Sequence, residues 1–138
     1  MKCVVACYSK TGSTRRLALA IADQLGCAAQ SVEECRIDGP VDVLFLGGAV
    51  YATYDHDYAP PLLQFIRSLD RNKVRQVAPF VTYAFGSSLG MLKEHIRKAG
   101  LAVSERSFEC RGRFLFFNLR RPNEKDLQAA RTFAKSFQ

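Results

Sequence analysis

The chain has 138 residues, enough for one domain with a core of its own and no need of metal or disulfide staples. Its 48% apolar content is ordinary for a globular protein, and no apolar run approaches the ~18 residues of a membrane helix. The first apolar run is too short and wrongly flanked for a signal peptide, so a cytoplasmic setting is expected. The net charge of +7 bears on partners rather than fold. It suits acidic proteins, phosphorylated cofactors or nucleic acid, with solvated basic helix faces as the plain alternative.

A first strand is expected over 2–8, where Cys3-Val4-Val5-Ala6-Cys7-Tyr8 is apolar on both faces, as a buried parallel strand is. The next stretch is Ser9-Lys10-Thr11-Gly12-Ser13-Thr14. A helix then follows from Ser13 to Leu25, with Leu17, Ala18, Ile21, Ala22 and Leu25 on its apolar face and Gly26 as its stop. Hydroxyl side chains and a glycine between a buried strand and a helix N-terminus suit a phosphate. The unbonded N–H groups of the first turn point at the anion, and Gly12 lets the backbone pass close. An ordinary capped helix start is the plain reading.

A short strand is expected from Ala28 to Glu33. Only seven residues, 34–40, then remain before the next strand, too few for a full crossover helix, so a turn or irregular link is expected there. Val41 to Leu46 is a clear strand ending in Gly47-Gly48, and two glycines there suggest close backbone approach to a ligand. A loop runs on through Ala49, Val50, Tyr51, Thr53 and Asp55-His56-Asp57. A helix starts at Pro60 or Pro61 and carries Leu62, Leu63, Phe65, Ile66 and Leu69. Val77 to Phe85 is a fourth strand, followed by Gly86-Ser87-Ser88 and a helix from Leu89 to Ala99 closed by Gly100. Leu101 to Cys110 alternates as an edge strand does. After an apolar insert, Phe114 to Leu119, the last helix opens at Pro122 or Asn123. Strands alternating with helices imply one α/β domain over 1–138, with a parallel sheet and a ligand beyond the carboxyl ends of its strands. The loops 9–14, 47–59 and 86–90 lie at that edge.

These residues resemble the flavodoxin family. Ser9, Gly12 and Thr14 match its phosphate-binding fingerprint, and Ala18 matches the small residue on the following helix. Cys7 stands where many members have an aromatic. Gly47-Gly48-Ala49-Val50-Tyr51 is similar to the second flavin loop, and Phe85-Gly86-Ser87-Ser88 to the third. The insert that splits the fifth strand of long-chain members is not evident, so the resemblance is to the short-chain, flavodoxin-like doubly wound five-stranded sheet. It implies strand order 2-1-3-4-5, here with a shortened second crossover. The ligand would be FMN, bound non-covalently. Its phosphate would rest on Ser9, Lys10, Thr11, Gly12, Ser13 and Thr14. Its ring would lie between Gly48, Ala49, Val50 and Tyr51 on one side and Phe85, Gly86, Ser87 and Ser88 on the other. Tyr51 is the first candidate for stacking, against a plain packing role under its own loop. Asp55 and Asp57 near the ring would lower its potential, and Lys10 or Arg15 would raise it.

The chain departs from the many acidic flavodoxins in being basic, so either the implied redox partner is acidic or the chain is no ordinary flavodoxin. Arg111, Arg113, Arg120 and Arg121 flank Phe114, Phe116 and Phe117, and segment 111–121 reads as a partner or homodimer surface, or as a cap on the core. Neither a membrane nor a nucleic acid is expected as partner.

Other signals are weaker. Adjacent Asp55, His56 and Asp57 do not converge as metal ligands do, so no metal is expected. His56 is a minor candidate proton donor, and His95 is expected on the surface. Cys7 is not followed by an arginine at the spacing of a tyrosine-phosphatase loop, so no nucleophilic role and no other catalytic residue is expected. The five cysteines show no metal spacing and read as free thiols. Three functions remain: an FMN electron carrier, an FMN-dependent NAD(P)H oxidoreductase acting on quinones or other small acceptors, and an interaction module without cofactor. The carrier is preferred to an enzyme with its own substrate.

Overall fold

The computed structural model describes residues 1–51, 54–113 and 118–138. Thr53 and Phe114, Phe116 and Phe117 of the insert lie outside the described residues. In chain order the elements are β1 (Cys3–Cys7), α1 (Ser13–Leu25), β2 (Ala29–Ser31), β3 (Val43–Gly48), β4 (Val50–Tyr51) and β5 (Asp57–Tyr58), then α2 (Pro60–Ser68), β6 (Val77–Tyr83), α3 (Leu89–Lys98), β7 (Phe108–Arg111) and α4 (Glu124–Lys135).

The main sheet is parallel and five-stranded, in the order β2-β1-β3-β6-β7. This is the expected order 2-1-3-4-5 once the small β4–β5 pair is set aside. Val5 lies beside Phe45 and Gly47 beside Phe80 in the central ladders. Side chains of each strand alternate between two apolar layers. On one face Leu44 and Leu46 meet Leu62, Ile66, Leu92 and Ile96 of α2 and α3. On the other, Val43 and Phe45 meet Leu17, Ile21, Ala130 and Phe133 of α1 and α4. Each fully buried Leu, Ile or Phe contributes roughly 1.5–3 kcal/mol. The Phe45 ring stands edge-on to Phe133 at 5.8 Å and to Phe137 at 5.0 Å.

Local chemistry sets the helix ends. Gly26 ends α1 with φ 73°, donating to Ala22 and Asp23 carbonyls. Pro60 and Pro61 open α2, where their missing N–H groups cost nothing. No helix fills the link over 34–40, and a cavity of about 670 Å³ lies between Val32–Ile37 and α2.

The structure corrects the sequence reading at two places. The stretch after β3 is not simply a loop, because β4 and β5 pair antiparallel, Val50 with Tyr58 and Tyr51 with Asp57. The edge strand does not run unbroken from Leu101. Val103 bridges Val77, and pairing resumes only at Phe108, opposite Phe80. Val77 and Tyr83 of β6 bond toward the edge chain, so Pro79, in the same alternation, turns a position without an N–H toward it. Ladder bonding lapses there. The glycines ending β3 also have a packing role. A Cβ on Gly47 would lie 2.1 Å from the Phe80 ring, and one on Gly48 2.6 Å from Leu62.

No helix among the described residues is long and apolar enough to cross a membrane. The cysteines are all free, with Cys7, Cys35 and Cys110 buried.

Candidate functional site

The loop over 9–14 leaves β1 and enters α1 through Gly12, which has φ 90° and ψ −10°. That left-handed conformation is one that glycine adopts without strain. The loop is rich in capping residues, yet no side chain caps the helix and no acid stands in its first turn. The hydroxyls are turned elsewhere. Ser9 Oγ accepts from the Gly12 N–H at 3.1 Å. Ser13 Oγ accepts from the Arg113 N–H at 3.0 Å. The Thr14 and Thr82 hydroxyls share a buried bond of 2.9 Å. The plain reading of this loop as an ordinary capped start therefore fails. Among the described residues no side chain takes the N–H groups of the first turn, and the helix dipole favours an anion there.

The second loop is tied to the first. The Lys10 N–H donates to the Tyr51 hydroxyl at 2.9 Å, and the Lys10 ammonium lies 5.7 Å from the Tyr51 ring centre and 5.6 Å from that of Tyr54. Tyr51 stands edge-on to Tyr54, with 6.2 Å between ring centres. Burial raises the Tyr51 phenol, so it stays a neutral acceptor for Lys10. Tyr8, whose hydroxyl bonds Tyr54, is pushed up to about 12, chiefly by that hydrogen bond.

The third loop is braced from below. Tyr58 is buried, and its hydroxyl donates to Ser88 at 2.8 Å. Ser87 Oγ bonds the Glu109 carboxylate. His95 departs from the surface position expected for it. It is half-buried, 3.0 Å from Asp57, with its ring edge-on to Tyr58. Burial alone would raise the Asp57 carboxyl, but the Tyr58 N–H and His95 outweigh it and hold the carboxyl below its usual value. Asp57 and His95 thus clamp the β4–β5 hairpin onto α3.

Between the second and third loops lies a cavity of about 380 Å³, within the range of small-molecule sites. Val50 and His56 form one wall, and Phe85, Gly86 and Ser88 the other. Its floor is Thr82, Tyr83 and Ala84, the end of β6. Phe85 is 67% exposed and forms an open lip. Gly86 has nothing within 4 Å of where a Cβ would stand.

The structure brings the residues chosen from sequence to one edge of the sheet. Ser9, Lys10, Thr11, Gly12, Ser13 and Thr14 form the helix entry. Val50, Phe85, Gly86 and Ser88 line the cavity directly, and Ser87 sits on its third loop. Tyr51 joins the first two loops and is not among the lining residues. A Cβ on Gly48 would meet Leu62 and Tyr58, and Ala49 lies between Gly48 and the hairpin. Sequence reasoning missed Thr82, Tyr83 and Ala84, though their place at the carboxyl end of a buried strand is the signal that finds them. It also missed Gly112. A Cβ there would lie 2.9 Å from Thr82 and 3.2 Å from Ser13, so only glycine lets the chain after β7 pass over the loop. Burial pushes the Cys7 thiol up to about 11, in keeping with a packing role.

Thr82 belongs to both halves of the site. It forms the cavity floor and holds Thr14 in the first turn of α1. The arrangement suits a ligand with an anionic end at the helix and a flat, largely apolar body beside it.

No protein-family model and no curated protein matches the chain. Solved structures do. Oxidised flavodoxin 1 from Bacillus cereus superimposes with a TM-score of 0.74 at 19% identity, over 99% of this chain and 97% of that one. A flavodoxin from the domain Archaea gives 0.68 at 17% identity, over 99% and 95%. Rubredoxin oxygen:oxidoreductase from Desulfovibrio gigas gives 0.70 at 18% identity, over 97% of this chain but 34% of that one. The chain has the flavodoxin-like fold.

Proposed function

We propose that this protein is an electron carrier that binds FMN non-covalently at the three-loop edge. The observation that carries the reading is the junction at Thr14 and Thr82. There an uncapped, acid-free helix start meets a cavity of about 380 Å³. The phosphate is assigned to the N–H groups of Thr11, Ser13 and Thr14, since those of Lys10 and Gly12 already donate to Tyr51 and Ser9. The ring is assigned to the space between Val50 and Phe85–Ser88. FMN, when bound, supplies reversible electron uptake, and the protein supplies position and electrostatics. The chain's own contribution is to orient the ligand from both ends and to shield one side of it from water. Arg15, Arg16 and Arg111, all exposed near this edge, favour negative charge on whatever binds there.

The visible spectrum of purified protein, before and after addition of FMN, tests the reading. Two flavin bands with one FMN per chain support it. A colourless protein that takes up no FMN overturns it.

A further inference from the structure

We propose that the arginine-bordered lip of this site, with Phe85 and Leu119 at its centre, is the docking surface for an acidic electron-transfer protein. The proposal names the partner of the electron-carrier reading above and rests on it. The surface itself stands on separate observations.

The first is where the basic side chains are gathered. Arg15 and Arg16 are exposed on the first turn of α1, and Arg111 and Arg113 are exposed where β7 ends. The Arg113 N–H on Ser13 joins those two groups. The Arg111 guanidinium lies 5.5 Å from the Tyr83 ring centre and donates to the Ala84 carbonyl at 3.3 Å, so it borders the cavity floor. Asn118 donates to that same carbonyl at 3.1 Å, which brings exposed Arg120 to the same edge. Arg16 donates to the Pro122 carbonyl and closes the ring of contacts.

Carboxylates do not cancel this charge. Arg121 is held by Asp126 at 2.6 Å, Glu109 lies at Ser87 and exposed Asp55 adjoins His56 on the opposite wall, but the other arginines outnumber them. The second observation is the apolar centre. Phe85 is 67% exposed and Leu119 59% exposed, both beside Ala84 in sequence or through Asn118. Protein interfaces combine an apolar or aromatic centre with a polar rim in which arginine is favoured. A positive rim around a redox site selects an acidic face and speeds its approach. A single-stranded nucleic acid would meet the same charges, with Phe85 alone among the described residues as an exposed ring for base stacking, and it is therefore one of the outcomes that the test separates.

The test measures complex formation calorimetrically, on FMN-loaded and FMN-free protein. The probe is an acidic [2Fe–2S] ferredoxin, with basic cytochrome c and a single-stranded oligouridylate as competitors for the reading. The variants are R113E/R120E at the lip and R75E/R97E elsewhere, which change net charge equally. The expected result is ferredoxin binding that weakens about tenfold or more between low and physiological salt and again in R113E/R120E, but not in R75E/R97E. Leu119→Ser is expected to weaken binding with no change in salt dependence. Absence of ferredoxin binding, equal loss in both double variants, or tighter binding of cytochrome c or oligouridylate overturns the proposal. Ferredoxin binding by a protein that takes up no FMN upholds the surface and sinks the cofactor reading alone.

Discussion

Helices α1 and α4 begin in opposite ways. At α4, Asn123 accepts the Asp126 N–H at 3.0 Å, and the Asp126 carboxylate accepts the Asn123 N–H at 2.8 Å. Glu124 and Asp126 add negative charge to the first turn. The helix end is satisfied within its own sequence, as a capping box does. At α1 the residue types for capping are present in excess, yet Gly12 occupies the cap position and no acid follows it. Its serines and threonines brace the loop against Gly12, Arg113 and Thr82 instead. One helix start is closed by its own side chains, and the other is held open by them.

The largest effect that separates the two ends is a charge placed at the open one. Thr11 is exposed on the loop. Thr11→Glu sets a carboxylate where the phosphate is assigned, and FMN affinity is expected to fall about 100-fold or more, read by fluorescence titration. Unchanged affinity would remove the phosphate from this loop.

Next comes the brace between helix and cavity. Thr14 is 1% exposed, and Thr82→Val leaves its hydroxyl without the 2.9 Å bond. Urea denaturation is expected to show a loss of about 1–3 kcal/mol, and the Thr14→Val/Thr82→Val pair to recover much of it. Additive losses would mean that the two hydroxyls do not act as a pair.

At the closed end, Asn123→Ala is expected to lower stability by about 1 kcal/mol and leave FMN affinity unaltered. A drop in FMN affinity as large as that of Thr11→Glu would erase the contrast between the helices.

The smallest effect belongs to the clamp under the hairpin. Asp57 and His95 are partly exposed, so His95→Ala is expected to cost less than about 1 kcal/mol. The folded Asp57 carboxyl is held below its unfolded value, so its stabilisation is complete above about pH 4 and is lost as pH falls through the folded value. His95→Ala is expected to shrink that acid-side loss. Acid-unfolding curves that coincide would show that the pair does nothing for the fold.

Elements set by local pattern were legible in the chain alone. The bounds of α1, its stop at Gly26 and the start of α2 at Pro60 all lie where apolar spacing, glycine and proline place them. The three-loop edge was legible too, because apolar strands and turn residues alternate in order. Features that depend on a distant neighbour were not. Pro79 interrupts the edge ladder only because β7 lies on the side that it faces. That Gly47 and Gly48 make room for Phe80 and Leu62 depends on strand β6 and helix α2, which lie far along the chain. His95 read as a surface residue because Asp57, its partner, is 38 residues away.

The amino-acid order alone sets the α/β alternation and the helix boundaries, because periodicity, caps and breakers act over a few residues. It also determined where an anion-friendly loop falls in the chain. Long-range packing keeps this helix start open, because each hydroxyl's partner is set by how the chain folds around it, as when Thr82 claims Thr14 and Arg113 claims Ser13. It also decided that the arginines after β7 border the same edge. A hydroxyl or a guanidinium carries its chemistry in the sequence, but its direction is set by what packs against it.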